Sequence, residues 1–358
     1  MKRIIATGLV ALATSPAFAG GVERSTQSMA ILFQEGRYLE LGAQYARPRV
    51  SGNAAGPIPL TGATGNITRP VFMGSLAFRD DINEQLSYAI ILDEPIGADV
   101  RYRAGTEAFL SGSTASIDSF ALTGVLRYSF GNGFSTYAGL RSVWSKGSVD
   151  LAFAAPAGET YTMRTDRDQA WGYLLGVAYE MPEIAARVSL TYNSQVKHTF
   201  EQTVNGTLLP NTFETRIPES LHLEFQTGIA EDTLLMGSVR WVKWKDFNIS
   251  PAGQPDLVSY DKNSVTYTLG VGRRFTENWS GSVTLGYDTG NGSTTGNLQP
   301  VSSRSSIGLG ASYSIDNVTI SGGVQYSRFG GATSRPPISG EFSGNSMIGA
   351  GIRVGFQF

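Results

Sequence analysis

Met347-Ile348-Gly349-Ala350-Gly351-Ile352-Arg353-Val354-Gly355-Phe356-Gln357-Phe358 is the stretch on which the fold reading turns. Ile348, Ala350, Ile352, Val354, Phe356 and Phe358 are apolar, and the residues between them are small or polar. Strict period-two alternation makes a strand with one greasy and one wet face. Such a strand fits a sandwich, or a barrel that meets lipid outside and a polar lumen inside. The aromatic end of the sequence favours the barrel.

The rest of the chain agrees. Met1-Lys2-Arg3, an apolar run Ile4 to Ala13 and Ala17-Phe18-Ala19 have the form of an export signal. Residues 1–19 are therefore set aside as a signal peptide. No later stretch approaches the ~20 consecutive apolar residues of a membrane helix. The net charge is −2 and falls further without the cationic leader, which argues against a nucleic-acid surface. Cysteine is absent, so there is neither a disulfide framework nor a thiolate metal site.

From Arg37 onward alternating segments recur. Leu39, Leu41, Ala43 and Tyr45 mark the first, Leu86, Tyr88, Ile90 and Leu92 the third, and Trp171, Tyr173, Leu175, Val177 and Tyr179 the sixth. About fourteen strands are expected, an even number as in single-chain bacterial barrels. Short connections, such as Gly131–Gly133 and Asp316–Asn317, alternate with long ones at Ser51–Pro70, Ile96–Ser113, Val149–Asp166, Glu201–Arg216, Asn248–Lys262, Thr289–Ser302 and Gly330–Asn345. Short turns inside and long loops outside are the asymmetry of outer-membrane barrels. The reading is an all-β transmembrane antiparallel β-barrel over residues 37–358, preceded by a short hatch or plug over residues 20–36, in the bacterial outer membrane.

Aromatic residues fall at both predicted strand ends, as two interfacial girdles would require. Four of the five Trp have lipid-facing parity; Trp244 does not. Lys243 and Arg328 have that parity near the outer ends, where long cationic side chains snorkel. Arg127, Arg141, Arg240, Arg274 and Arg353 have lumen parity. Arg141 and Arg240 lie nearer mid-barrel and are the candidates to hold a ligand carboxylate by parallel hydrogen bonds. The alternative is that lumen arginines pair with lumen acids and only brace the wall. Met29, Ile31, Leu32 and Phe33 give the N-terminal segment an apolar patch that suits a greasy ligand or anchors the segment. Leu151, Phe153, Leu208, Leu209 and Phe213 put apolar side chains on extracellular loops, as a capture surface or a self-packed lid.

Two segments carry a resemblance: Ser28-Met29-Ala30-Ile31-Leu32-Phe33-Gln34-Glu35-Gly36 leading into Tyr38-Leu39-Glu40-Leu41, and Leu86-Ser87-Tyr88-Ala89-Ile90-Ile91-Leu92-Asp93-Glu94-Pro95-Ile96-Gly97-Ala98-Asp99-Val100-Arg101-Tyr102. With the strand count and terminal Phe358, the chain resembles the FadL/TodX-type outer-membrane transporters of long-chain fatty acids and other hydrophobic compounds. The resemblance implies a fourteen-stranded barrel with an N-terminal hatch, capture by outer loops, a lumen pocket, and lateral release at a kink in the third strand. Asp93, Glu94, Pro95 and Gly97 are the expected opening, because proline donates no ladder bond. The segment Gly20–Gly36 is shorter than the family's usual hatch and lacks an Asn-Pro-Ala.

The expected partners are a hydrophobic small molecule, outer-membrane lipid and, through Phe358, the barrel-assembly machinery; no nucleic acid, cofactor or metal is expected. An enzyme is disfavoured. His198 and His222 are the only histidines, and neither G-x-S-x-G nor H-E-x-x-H occurs. A water-filled porin for small polar solutes and a surface receptor or adhesin are the competing readings.

Overall fold

A computed structural model describes residues 22–55, 62–104, 110–154, 159–251, 256–335 and 339–358, with the side chains of 153, 154 and 159 excepted. The expected leader, Gly20 and Gly21, and Ala155 and Pro156 of the third long connection, lie outside the described residues.

The alternation read from the sequence becomes a closed wall of fourteen antiparallel strands. They are β1 (Tyr38–Arg49), β2 (Val71–Asp81), β3 (Leu86–Asp93), β4 (Thr114–Ser129), β5 (Phe134–Ala154), β6 (Asp168–Met181) and β7 (Ala186–Asn193). The second half is β8 (Ser220–Ala230), β9 (Thr233–Val242), β10 (Ser264–Arg274), β11 (Trp279–Asp288), β12 (Arg304–Ile315), β13 (Val318–Phe329) and β14 (Ser346–Gln357). Each strand pairs with the next, and β14 closes on β1 from Tyr38 opposite Gln357 to Arg49 opposite Ser346. Closure leaves the wall without a free edge, which a bilayer requires because lipid cannot satisfy backbone polar groups.

Burial is inverted relative to a soluble protein. Leu126, Leu140, Leu175, Val177, Leu285, Leu309 and Ile352 are exposed on the outer face, Leu140 by 64%. Thr123, Arg141, Thr191, Asn193, His222, Arg240 and Ser321 are buried on the inner one. A two-layer sandwich would bury the first set and expose the second, so the sandwich reading fails. Among the described residues no helix is long and apolar enough to cross a membrane; this chain crosses with strands. At the short-turn end Phe134 lies 4.5 Å from Tyr179 and Trp279 lies 4.9 Å from Tyr313, ring centre to ring centre, forming one girdle. Phe120 stacks on Trp144 at 4.6 Å toward the other end.

Three expectations about the long connections are corrected. The wall does not end at Ile96: Gly97–Arg101 resumes pairing with β4. Much of Val149–Asp166 is ladder, because β5 runs on to Ala154 and pairs with Glu159–Thr165. Glu201–Arg216 belongs to two hairpins, one of which pairs Val196–Phe200 with Phe213–Ile217. Such extensions are hard to see in sequence because, above the bilayer, no lipid enforces the alternation. Trp244, the residue off parity, is not on the wall at all. It lies in a short 3-10 turn, buried beside Phe247 and Tyr260.

Candidate functional site

The third strand is broken at mid-wall. Asp93 pairs with Ala121 and Gly97 with Asp118, so three residues of one strand face two of the other. One surplus residue is a β-bulge, and it reverses which side chains face inward. Leu92 is exposed to lipid before the break, whereas Val100 and Tyr102 are buried after it. Pro95 offers no N–H to the ladder. Ile96 N–H donates to Ser119 Oγ at 3.0 Å, and that hydroxyl donates back to Ile96 O at 2.6 Å. On the other flank β2 pairs with β3 only from Leu76 to Asp81. Val71–Ser75 thus has ladder bonds to β1 and none toward the break, apart from Gly74 N–H, which reaches the Glu94 carboxylate at 3.3 Å.

The N-terminal segment lies across this gap. Glu23 bridges to Ile96, Arg24 N–H donates to Pro95 O at 2.9 Å, and Gly97 N–H donates to Val22 O at 2.8 Å. The Arg24 guanidinium pairs with Glu94 at 3.2 Å and fills the space that a side chain at Gly97 would need. Only glycine leaves that room. On the lumen side, Arg240 grips the Glu23 carboxylate through Nε at 3.0 Å and Nη2 at 2.5 Å. Asp93 accepts a hydrogen bond from Ser25 and lies within electrostatic range of Arg141 and Arg240.

Above this contact is a small, partly open cavity of about 20 Å³, room for about one water molecule. Its polar side is Glu23, Gln27, Arg141, Asn193 and Arg240; its apolar side is Ile96, Ile217, Val242 and Trp244. Arg141 donates to Asn193 Oδ1 at 2.8 Å and Thr123 Oγ1 at 3.3 Å, and among the described residues Asp93 is a nearby charge but not a direct ion-pair partner. The arrangement is amphipathic: cationic donors at one side, hydrocarbon and an indole at the other. Pockets of this kind orient a mostly apolar ligand by a few placed polar groups.

Arg141 and Arg240, chosen from sequence for mid-barrel lumen parity, meet at this cavity. The strand residues Asp93, Glu94, Pro95 and Gly97 adjoin it. The rest of the candidate set lies elsewhere. Met29, Ile31 and Leu32 are buried toward the short-turn end against Tyr38, Ala77, Val125 and Tyr137. Phe33 sits between two guanidinium groups, Arg127 at 4.5 Å and Arg187 at 4.4 Å from the ring centre. Arg127 also pairs with Glu180 and donates to Leu32 O at 3.0 Å. Arg353 pairs with Glu40 at 3.1 Å, and Arg274 with Asp232. At the outer end Leu151 and Phe213 join an apolar cluster that includes Phe200, Ile217, Trp244, Phe247 and Tyr260. Leu208, 62% exposed, pairs with Thr203 in a small outer hairpin, Leu209 N–H donates to Gln202 O at 2.9 Å, and the side chain of Phe153 lies outside the described residues.

Sequence reading missed Glu23, Arg24, Asn193 and Trp244. The off-parity Trp244 was the one readable signal, since a tryptophan that cannot face lipid must face protein. His198 Nδ1 meets Asp168 Oδ2 at 2.7 Å on the outer hairpin, and His222 Nδ1 stands 4.0 Å from Glu224 in the lumen. Among the described residues no group of three or more His, Asp or Glu could hold a metal ion.

The family of outer membrane protein transport proteins (OMPP1/FadL/TodX) matches residues 9–335. Among solved structures the fold resembles a Pseudomonas aeruginosa FadL homologue, with a TM-score of 0.75 and 16% identity over 92% of each chain. It also resembles the P. putida toluene transporter TodX (0.65, 12%, 91% of each chain) and the Ralstonia pickettii toluene transporter TbuX (0.64, 14%, 96% of this chain and 97% of that one). No curated protein matches the sequence. The family's members are transport proteins, and their place is the bacterial outer membrane. With a match that spans nearly the whole barrel, this chain belongs to the outer membrane protein transport protein (OMPP1/FadL/TodX) family.

Proposed function

We propose that the protein is a passive conduit for hydrophobic molecules, with long-chain fatty acids as the preferred cargo. The observation that carries this reading is the amphipathic cavity beside the break in β3. The capture surface is made by the outer loops, with Leu208 exposed on it and Leu151 and Phe213 joined to the buried apolar cluster that includes Phe200 and Tyr260. The cargo then widens the small cavity as it enters, with its carboxylate on Arg141 and Arg240 and its chain against Trp244 and Ile217. A ligand carboxylate competes with Glu23 for Arg240. Once Glu23 is displaced, residues 22–25 lose their lumen-side fastening and the gap at Glu94–Ile96 opens toward lipid. Residues 20–36 thus act as a hatch, held at its far end by Phe33, and residues 1–19 as the export signal.

The similar solved transporters carry toluene and monoaromatic hydrocarbons, and such compounds would use the apolar side of the same cavity without the arginines. The test is uptake of radiolabelled oleate and of toluene by a bacterial host lacking its own long-chain fatty-acid channel, with and without this chain. Expression should raise oleate uptake several-fold. Unchanged uptake of both compounds would remove the reading, and a large steady conductance in planar bilayers would put a water-filled porin in its place.

A further inference from the structure

On the lipid-facing side of β1, Arg47 and Arg49 follow Leu41 and Tyr45 at alternate positions, and on β13 Arg328 follows Val324 and Tyr326. Between these strands runs β14. Its Ser346 stands opposite Arg49 on one side and Arg328 on the other, while Ile348 stands opposite Arg47 and Tyr326. The arginines of the outer row are therefore about 10 Å apart, two strand spacings, with a serine hydroxyl between them. Arg47 lies one step closer to the membrane. All three are exposed, and none makes a hydrogen bond or ion pair with any described residue.

Three other basic groups on the outer rim have a carboxylate at hand. Lys243 contacts Glu219 and Asp246, both at 3.1 Å, Arg69 lies 3.6 Å from Asp99, and Lys146 stands opposite Asp118. The outward positions opposite Arg47, Arg49 and Arg328 on β12 and β14 are Ser305, Ser346 and Ile348, which are neutral. Three unpaired guanidinium groups on adjoining strands repel one another unless an anion lies among them. Tyr45 and Tyr326 beneath them are interfacial aromatics, which puts the arginines at the level of lipid headgroups.

We propose that this face binds the phosphate groups of a phosphorylated glycolipid of the outer leaflet. Guanidinium forks suit phosphate oxygens, the serine hydroxyls supply further donors, and the lipid's acyl chains continue down the apolar belt below. The site is independent of the transport reading, since it lies on the outer surface of the wall and shares no residue with the cavity.

The test uses the full-length barrel in detergent, incubated with diphosphoryl lipid A, with the same glycolipid stripped of phosphate, or with phosphatidylglycerol. Bound lipid is counted by native mass spectrometry. The wild type should retain diphosphoryl lipid A in preference to the other two. R47Q/R49Q/R328Q should retain at least ten-fold less, given about five-fold per cation at a charged surface. K243Q should match the wild type, because that lysine is already neutralised. Heat-modifiable gel mobility reports folding, and where the triple variant fails to fold, R49Q and R328Q singly should each lose about five-fold. The proposal is overturned if these variants hold lipid A within two-fold of the wild type, if K243Q loses as much, or if the stripped glycolipid or phosphatidylglycerol binds equally well.

Discussion

Replacing Glu23 by Gln tests whether the N-terminal segment is fastened from the lumen. The carboxylate takes two charge-assisted hydrogen bonds from Arg240. Hydrogen bonds to a charged group contribute about 1.5–3 kcal/mol. Gln keeps the shape but loses the charge, and it leaves Arg240 to turn toward Asp93, which returns part of the loss. The lower end, about 1.5 kcal/mol, is the working figure, and it corresponds to about a ten-fold rise in the undocked fraction. The backbone bonds of Arg24 to Pro95 and of Gly97 to Val22 are unchanged, so the segment stays near the gap. The chain has no cysteine, so Thr26→Cys supplies a single thiol on the segment. Its labelling by a water-soluble maleimide reports undocking when labelling is slower than re-docking. Glu23→Gln should speed labelling about ten-fold, while Arg353→Gln, which breaks the Glu40 pair elsewhere on the wall, should leave it unchanged. Equal rates for Glu23→Gln and the parent would refute the fastening, and equal acceleration by Arg353→Gln would show only general loosening of the barrel.

Further outcomes follow from the same geometry. Arg141→Ala and Arg240→Ala should weaken binding of a long-chain acid about ten-fold more than that of the matching alcohol in a fluorescence displacement assay, whereas equal losses would exclude a carboxylate clamp. Phe33→Ala removes the ring held between Arg127 and Arg187 and should destabilise docking of the N-terminal segment by about 2 kcal/mol, seen as faster tryptic cleavage after Arg37. His198 on the outer hairpin is buried, and burial holds its pKa below the ordinary value although Asp168 pulls the other way. A released hairpin therefore binds more protons than a docked one as pH falls below about 6.5, and docking weakens through that value. After correction for the intrinsic pH dependence of exchange, amide protection across residues 196–217 should be lower at pH 5 than at pH 7.5, and His198→Phe should flatten the difference.

The wall was legible because lipid enforces it. Where a strand has hydrocarbon on one side and a lumen on the other, parity is written at every second residue, and the spans around Leu175 or Leu309 could be read directly. The break in β3 was legible only as a proline. The sequence has no mark for the change of face between Leu92 and Val100, since both are apolar and one faces lipid while the other faces the protein interior. Arg141 and Arg240 could be picked from lumen parity and height on the strand. Their neighbours could not: Glu23 lies 217 residues from Arg240 in the chain, and nothing local marks that pairing. The apolar patch Met29–Phe33 announced burial but not its partner, because cation–π contacts with Arg127 and Arg187 are formed by strands far away in sequence.

The surplus residue in β3 has a consequence for how the breach could ever be lost. No single substitution can mend it, since every amino acid still occupies one place in the count. Removing one residue between Asp93 and Gly97 would set two residues against two and let the ladder run through, with Gly97 still opposite Asp118 and Val100 still facing inward. The breach can thus be closed by a deletion and by no substitution, and such a deletion would leave the lining above it as it stands.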